Sequence, residues 1–76
     1  MEWKTYLIMY FGTKAVGAKE IARRVESLGF KTTFGSSDFE YVWAKKPTKE
    51  EVLDLGDKIV IALQHTGAIF NLDTHD

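Results

Sequence analysis

A chain of 76 residues without cysteine has the length of one domain, residues 1–76, and excludes both a disulfide framework and a thiolate metal site. Ten basic and eleven acidic residues give a net charge of −1, which supplies no long-range field to attract nucleic acid or an anionic membrane. The N-terminus lacks the pattern of a secretion signal, and no apolar run reaches the roughly 18 residues of a membrane span. We therefore expect a cytoplasmic protein with no membrane partner.

The first predicted element is a strand from Trp3 to Phe11. It is rich in aromatic and β-branched residues, and neither of its faces is polar, which is typical of a strand at the centre of a sheet. Side chains alternate between the faces of a strand. We expect one face to carry core residues, namely Leu7, Met9 and Phe11, and the other to carry Tyr6, Ile8 and Tyr10.

A glycine-containing loop follows, and then a helix from Ala18. Apolar residues recur at helical spacing as far as Leu28, and Gly29 is placed to end the helix. The loop has a glycine spacing similar to that of phosphate-binding loops. Its candidate anion-binding residues are Gly12, Thr13, Gly17 and Lys19. Because Ala18 precedes the lysine and no serine or threonine follows it, a plain connecting loop is the favoured interpretation.

A β-hairpin is predicted over residues 30–45. Phe30–Phe34 alternates like a strand, residues 35–38 have the composition of a turn, and residues 38–45 form the second strand. Three aromatic residues at two-residue spacing share one face of that second strand. They are Phe39, Tyr41 and Trp43.

A second helix is predicted to begin after Pro47. Thr48 and Glu51 have the spacing of a capping box, and an apolar stripe continues to about Gln64. An alternative is that residues 58–63 form a β-strand, because Gly56 costs a helix interior about 1 kcal/mol and the segment is β-prone. We favour the long helix, since a short one would make little use of the capping box. The last strand is expected from Ala68 to about Thr74.

This βαββαβ order predicts an α+β fold, the ferredoxin-like sandwich. It has a four-stranded antiparallel sheet in the order 4-1-3-2, with two helices on one face. The strands at the two edges should also direct alternate side chains toward the helices. These are Phe30, Thr32 and Phe34 from the second strand and Ala68, Phe70 and Leu72 from the fourth.

The aromatic strand can adopt either of two orientations. In the favoured one Val42 and Ala44 face the helices, because small residues suit a closely covered sheet, and the three rings lie on the open face. The opposite orientation leaves only Glu40, Val42 and Ala44 on that face. The favoured orientation predicts an aromatic binding surface on the open side of the sheet, made of Tyr6, Ile8, Tyr10, Phe39, Tyr41, Trp43 and Ile69.

A surface of this kind predicts a binding function. Self-association as a homodimer or the docking of a protein partner is the favoured hypothesis, because monomers seldom leave large apolar patches uncovered. Single-stranded nucleic acid is the alternative, since the layout resembles the RNA-recognition sandwich, although the glycine of that family's third-strand motif is missing from Phe39–Lys45. No cofactor or metal site is expected. No catalytic set is expected either, because no serine lies near a histidine in any predicted element.

Overall fold

The computed structural model describes residues 2–10, 17–35 and 37–76. Within these ranges the chain forms four strands and two helices in the predicted order βαββαβ. In chain order they are β1 (Lys4–Tyr10), α1 (Ala18–Glu26), β2 (Lys31–Thr32), β3 (Phe39–Val42), α2 (Lys49–Ala62) and β4 (Ile69–His75). No helix of the described ranges is long and apolar enough to cross a membrane.

The four strands of the described residues form one antiparallel sheet in the order β2-β3-β1-β4. β1 pairs with β4 along its whole length, from Lys4 opposite His75 to Tyr10 opposite Ile69. On its other side β1 pairs with β3, so these two strands lie together at the centre of the sheet. The described chain is therefore an α+β protein.

The capping box predicted for α2 is present. Thr48 Oγ1 accepts from the Glu51 N–H at 3.1 Å, and Glu51 Oε1 accepts from the Thr48 N–H at 2.8 Å. Residues 58–62 are helical, so the alternative strand over this segment is wrong. The chain leaves the helix through two left-handed residues, His65 with φ 66° and Gly67 with φ 77°.

Buried residues of the sheet and of the helices form one hydrophobic core cluster. β1 contributes Leu7 and Met9, as predicted, whereas Phe11 lies outside the described residues. α1 and α2 both contribute to this core. The buried cluster consists of Leu7, Met9, Ile21, Val25, Phe30, Phe39, Leu55, Ile59 and Leu63, and the predicted residues Ala68, Phe70 and Leu72 pack against it.

The strand predicted from Phe30 to Phe34 is shorter in the structure. Phe30 is buried, but Phe34 is fully exposed instead of facing the helices. The Thr33 N–H still donates to the Asp38 carbonyl at 3.0 Å, so backbone pairing of the hairpin ends at Thr33. Strand alternation stops there, and Phe34 belongs to the turn.

Candidate functional site

The three rings of the aromatic strand point into the core, which corrects the orientation favoured from the sequence. Phe39 is 5% exposed and belongs to the core cluster. Tyr41 and Trp43 pack against that cluster, and their rings meet edge to face with 4.9 Å between centroids. Val42 is instead 41% exposed, and Ala44 is exposed as well. The open face of the sheet therefore lacks three of the aromatic side chains expected there.

Glu40 supplies the physical reason for this orientation. The opposite orientation would turn its carboxylate toward the helices, and burying a carboxylate without a partner is costly. In the structure Glu40 reaches Lys4 across the open face, with 3.0 Å between Oε2 and Nζ. The hydrogen bond and the charge of Glu40 raise the pKa of Lys4 above its ordinary value. A charged residue between three aromatic ones was thus the sequence signal for the correct orientation.

A chain of side-chain hydrogen bonds also holds Trp43 on the core side. The Trp43 Nε1–H donates to Thr5 Oγ1 at 2.8 Å, and Thr5 Oγ1 lies 2.7 Å from Thr74 Oγ1. Thr5 is 0% exposed, so this chain links the end of β3 to β1 and β4 inside the protein. Among the described residues no buried side-chain nitrogen or oxygen lacks a partner. Sequence reasoning missed these threonines.

The open face retains a smaller apolar area at one end. Tyr10 and Ile69 lie opposite each other in the register of β1 and β4, and they are 50% and 67% exposed. Further along β1, the Tyr6 ring stacks on His75 with 4.8 Å between centroids. Of the predicted surface residues, alternation and register bring together on this face Tyr6, Ile8, Tyr10 and Ile69.

The other end of the open face carries charges of both signs. Glu40 bonds to Lys4 and lies opposite Lys31 in the register of β2 and β3. On β4, Asp73 lies 3.6 Å from the His75 ring. Basic and acidic side chains alternate here, so they form no continuous positive patch for a phosphate backbone.

The outer edge of β4 directs backbone hydrogen-bonding groups away from the rest of the sheet. The Trp43 N–H donates to the Trp3 carbonyl at 2.9 Å, and the Met9 N–H donates to the Asp38 carboxylate at 2.7 Å. The backbone N–H and C=O groups of odd-numbered β1 residues therefore point toward β3. Those of even-numbered β1 residues bond to odd-numbered residues of β4. Even-numbered residues of β4 then direct their N–H and C=O groups outward, where no strand of the described residues pairs with them. They are Phe70, Leu72 and Thr74.

An apolar side of α2 borders this edge. Leu53, Gly56 and Val60 have helical spacing and share one side of the helix. A Cβ atom at position 56 would lie 3.5 Å from Leu72 Cδ1, so this side faces β4. Leu53 is 59% exposed and Val60 is 53% exposed. We call these three residues of α2, together with the outer edge of β4, the edge surface.

The anion-binding loop stays a prediction, because only part of it lies within the described residues. Gly12 and Thr13 lie outside the described residues. Gly17 is the N-cap residue of α1 and Lys19 is exposed, and both line a shallow groove together with Glu20 and Arg23. Glu20 is ion-paired with Arg23 and Arg24, so the groove carries charges of both signs.

Among the residues that the structure describes, no group of three or more histidine, aspartate or glutamate side chains could hold a metal ion. Comparison with protein-family models, with curated proteins and with solved structures finds no match. What the protein does therefore has to follow from its own surfaces.

Proposed function

We propose that this protein is a ferredoxin-like sandwich that binds another polypeptide chain through its edge surface and carries out no catalysis. The architecture is supported by the strand order, which reads 4-1-3-2 from the β4 edge, with antiparallel neighbours. It is also supported by the single core cluster to which α1 and α2 both contribute. Right-handed crossovers in that order place both helices on one face.

The observation that carries the proposed function is the outer edge of β4, with which no strand of the described residues pairs. This strand has seven residues, it contains no proline or lysine, and three of its residues direct backbone groups outward. An edge of this kind is a template for the addition of another strand. The opposite edge is β2, which has only two residues and carries the exposed Lys31. Short strands and edge lysines are the usual protection against such pairing.

Apolar side chains on both sides of the β4 edge favour a protein partner. A strand or helix docked there would cover Leu53 and Val60 on the helical side, and Tyr10 and Ile69 on the open side. Each is between 50% and 67% exposed, so burying the exposed part of each would contribute about 1 kcal/mol. Backbone pairing would add specificity for an extended segment.

Single-stranded nucleic acid finds less support as the ligand. Stacking on the sheet would have depended on Tyr41 and Trp43 in addition to Tyr6 and Tyr10, and the first two rings pack on the core. Glu40 and Asp73 also lie among the basic residues of the open face. Both observations favour a polypeptide.

Amide hydrogen exchange measured by NMR tests the proposed function. The probe is a synthetic peptide with the sequence of residues 68–76, and the control peptide carries Leu72→Pro, which removes one backbone donor. At about 1 mM, the first peptide should slow exchange at the Phe70, Leu72 and Thr74 amides of the protein at least about tenfold, and the control peptide should not. The Thr32 amide, which points outward from the other edge of the sheet, should not respond.

Protection of the same three amides without peptide, rising with protein concentration, would equally support the use of this edge. Exchange at unprotected rates at every protein and peptide concentration would contradict the proposal.

A further inference from the structure

We infer that the polypeptide bound at the edge surface is a second copy of this protein, with its β4 antiparallel to β4 about a two-fold axis through Leu72. The inference rests on the proposed function and adds the identity and the register of the partner. Three properties of the edge surface support it: the positions of the outward-facing backbone groups, the side chains of the open face and the spacing along α2.

The outward-facing backbone groups of β4 are symmetric about Leu72. A two-fold axis there pairs Leu72 with its own copy and Phe70 with Thr74 of the second copy. Each such pair exchanges two hydrogen bonds, so every outward-facing group of the strand finds a partner. An axis through Asn71 would leave Thr74 unpaired. An axis through Asp73 would leave Phe70 unpaired and would place two carboxylates opposite each other.

The open face of β4 is complementary to itself in this register. Asn71 lies opposite Asp73 of the second copy, where an amide N–H can donate to a carboxylate. Ile69 lies opposite His75, whose ring already stacks on Tyr6. No pair of like charges forms along the strand.

The apolar side of α2 has nearly the same symmetry. Gly56 lies over Leu72 and hence close to the axis, with Leu53 three residues before it and Val60 four residues after it. The two-fold axis therefore brings Leu53 of one copy toward Val60 of the other. Glycine destabilises a helix relative to alanine, yet a Cβ at position 56 would make only an ordinary contact, 3.5 Å, with Leu72 Cδ1. Packing within one chain does not require glycine there, and the absent side chain leaves room for a second α2 to come close.

Single-cysteine variants test the register, because the chain contains no cysteine of its own. In the inferred pairing, residues 71 and 73 of different copies face each other with Cα atoms about 4.5 Å apart, within the range of a disulfide. An equimolar mixture of N71C and D73C should oxidise to a covalent dimer with one copy of each, at least about fivefold faster than either variant alone. Equally fast cross-linking of N71C alone or D73C alone would overturn the register, and so would a dimer that gives no cross-link in the mixture.

Sedimentation velocity tests the identity of the partner. The protein and its I61E variant should dimerise with the same Kd, whereas V60E should raise the Kd at least about tenfold. Ile61 is a matched control, since it is adjacent in α2 and 65% exposed but lies on a different side of the helix. Equal effects of the two substitutions would overturn the inference. A monomer at every concentration would overturn it as well, while protection of the edge amides by the peptide would leave the proposed function standing.

Discussion

The buried hydrogen bonds of Thr5 make a large and specific contribution to stability. Thr5→Val keeps the shape of the side chain but removes the oxygen that accepts from Trp43 and lies 2.7 Å from Thr74 Oγ1. Two hydrogen bonds at a site that is 0% exposed are lost, at about 1 kcal/mol each, and the partners left unpaired add to the cost. We expect the free energy of unfolding to fall by about 2–3 kcal/mol. For a domain of this size the Tm should fall by about 10–20 °C.

Urea denaturation followed by tryptophan fluorescence measures this loss. The matched control is Thr32→Val, because Thr32 is an exposed strand threonine whose hydroxyl donates to Glu26 at 3.1 Å. That substitution should change the free energy of unfolding by less than about 0.5 kcal/mol. Thr5→Val and Trp43→Phe should be non-additive by about 1 kcal/mol, since they break the same bond. A Thr5→Val variant as stable as the Thr32→Val control would refute this account of the core.

Three further substitutions have directions fixed by local geometry. His65→Asn should raise the free energy of unfolding by about 0.5–1 kcal/mol, since His65 has a left-handed φ of 66° that asparagine tolerates better; urea titration would show no gain if this is wrong. Gly29→Ala should lower it by more than about 1 kcal/mol in the same assay, because φ is 104° and the new Cβ would lie 3.0 Å from Tyr41 Cε2. Glu20→Gln should reduce the dependence of stability on pH in acid. The hydrogen bond from Arg24 holds the pKa of Glu20 below its ordinary value, so its stabilising effect is present above the pKa of the unfolded chain and is lost as the pH falls through the folded-state pKa. If the unfolding free energies of the protein and its Glu20→Gln variant differ by the same amount at every pH between about 7 and 2, this reasoning is wrong.

Local sequence signals predicted most of the fold of the described residues. The order of the elements could be predicted because each helix has its own start or stop signal. These signals are the capping box of Thr48 and Glu51 and the left-handed Gly29. The long form of α2 followed from the same box. Such signals act within a few residues, so they can be read without knowing what packs against them.

The orientation of β3 could not be read in that way, and the candidate site depended on it. Alternation defines the two faces of the strand but does not say which face is buried. The preference for small residues beneath the helices predicted the wrong face. The cost of burying Glu40 and the hydrogen bond from Trp43 to Thr5 both act across strands, and they decided the orientation. The predicted order already placed the fourth strand at an edge, but the edge surface was missed because the direction of its backbone groups and the neighbouring side of α2 depend on register and packing. Its residues Leu53 and Val60 read as parts of an ordinary helix.

The difference in length between β2 and β4 also bears on how far assembly can proceed. When two copies join through β4, each has used its long edge, and the opposite edge of the described chain is a strand of two residues, one of them a lysine. A third molecule therefore finds no comparable place to attach. Assembly should therefore stop at the dimer. Concentrated solutions should form no fibres, although a single copy exposes a strand edge of the kind that pairs in fibres.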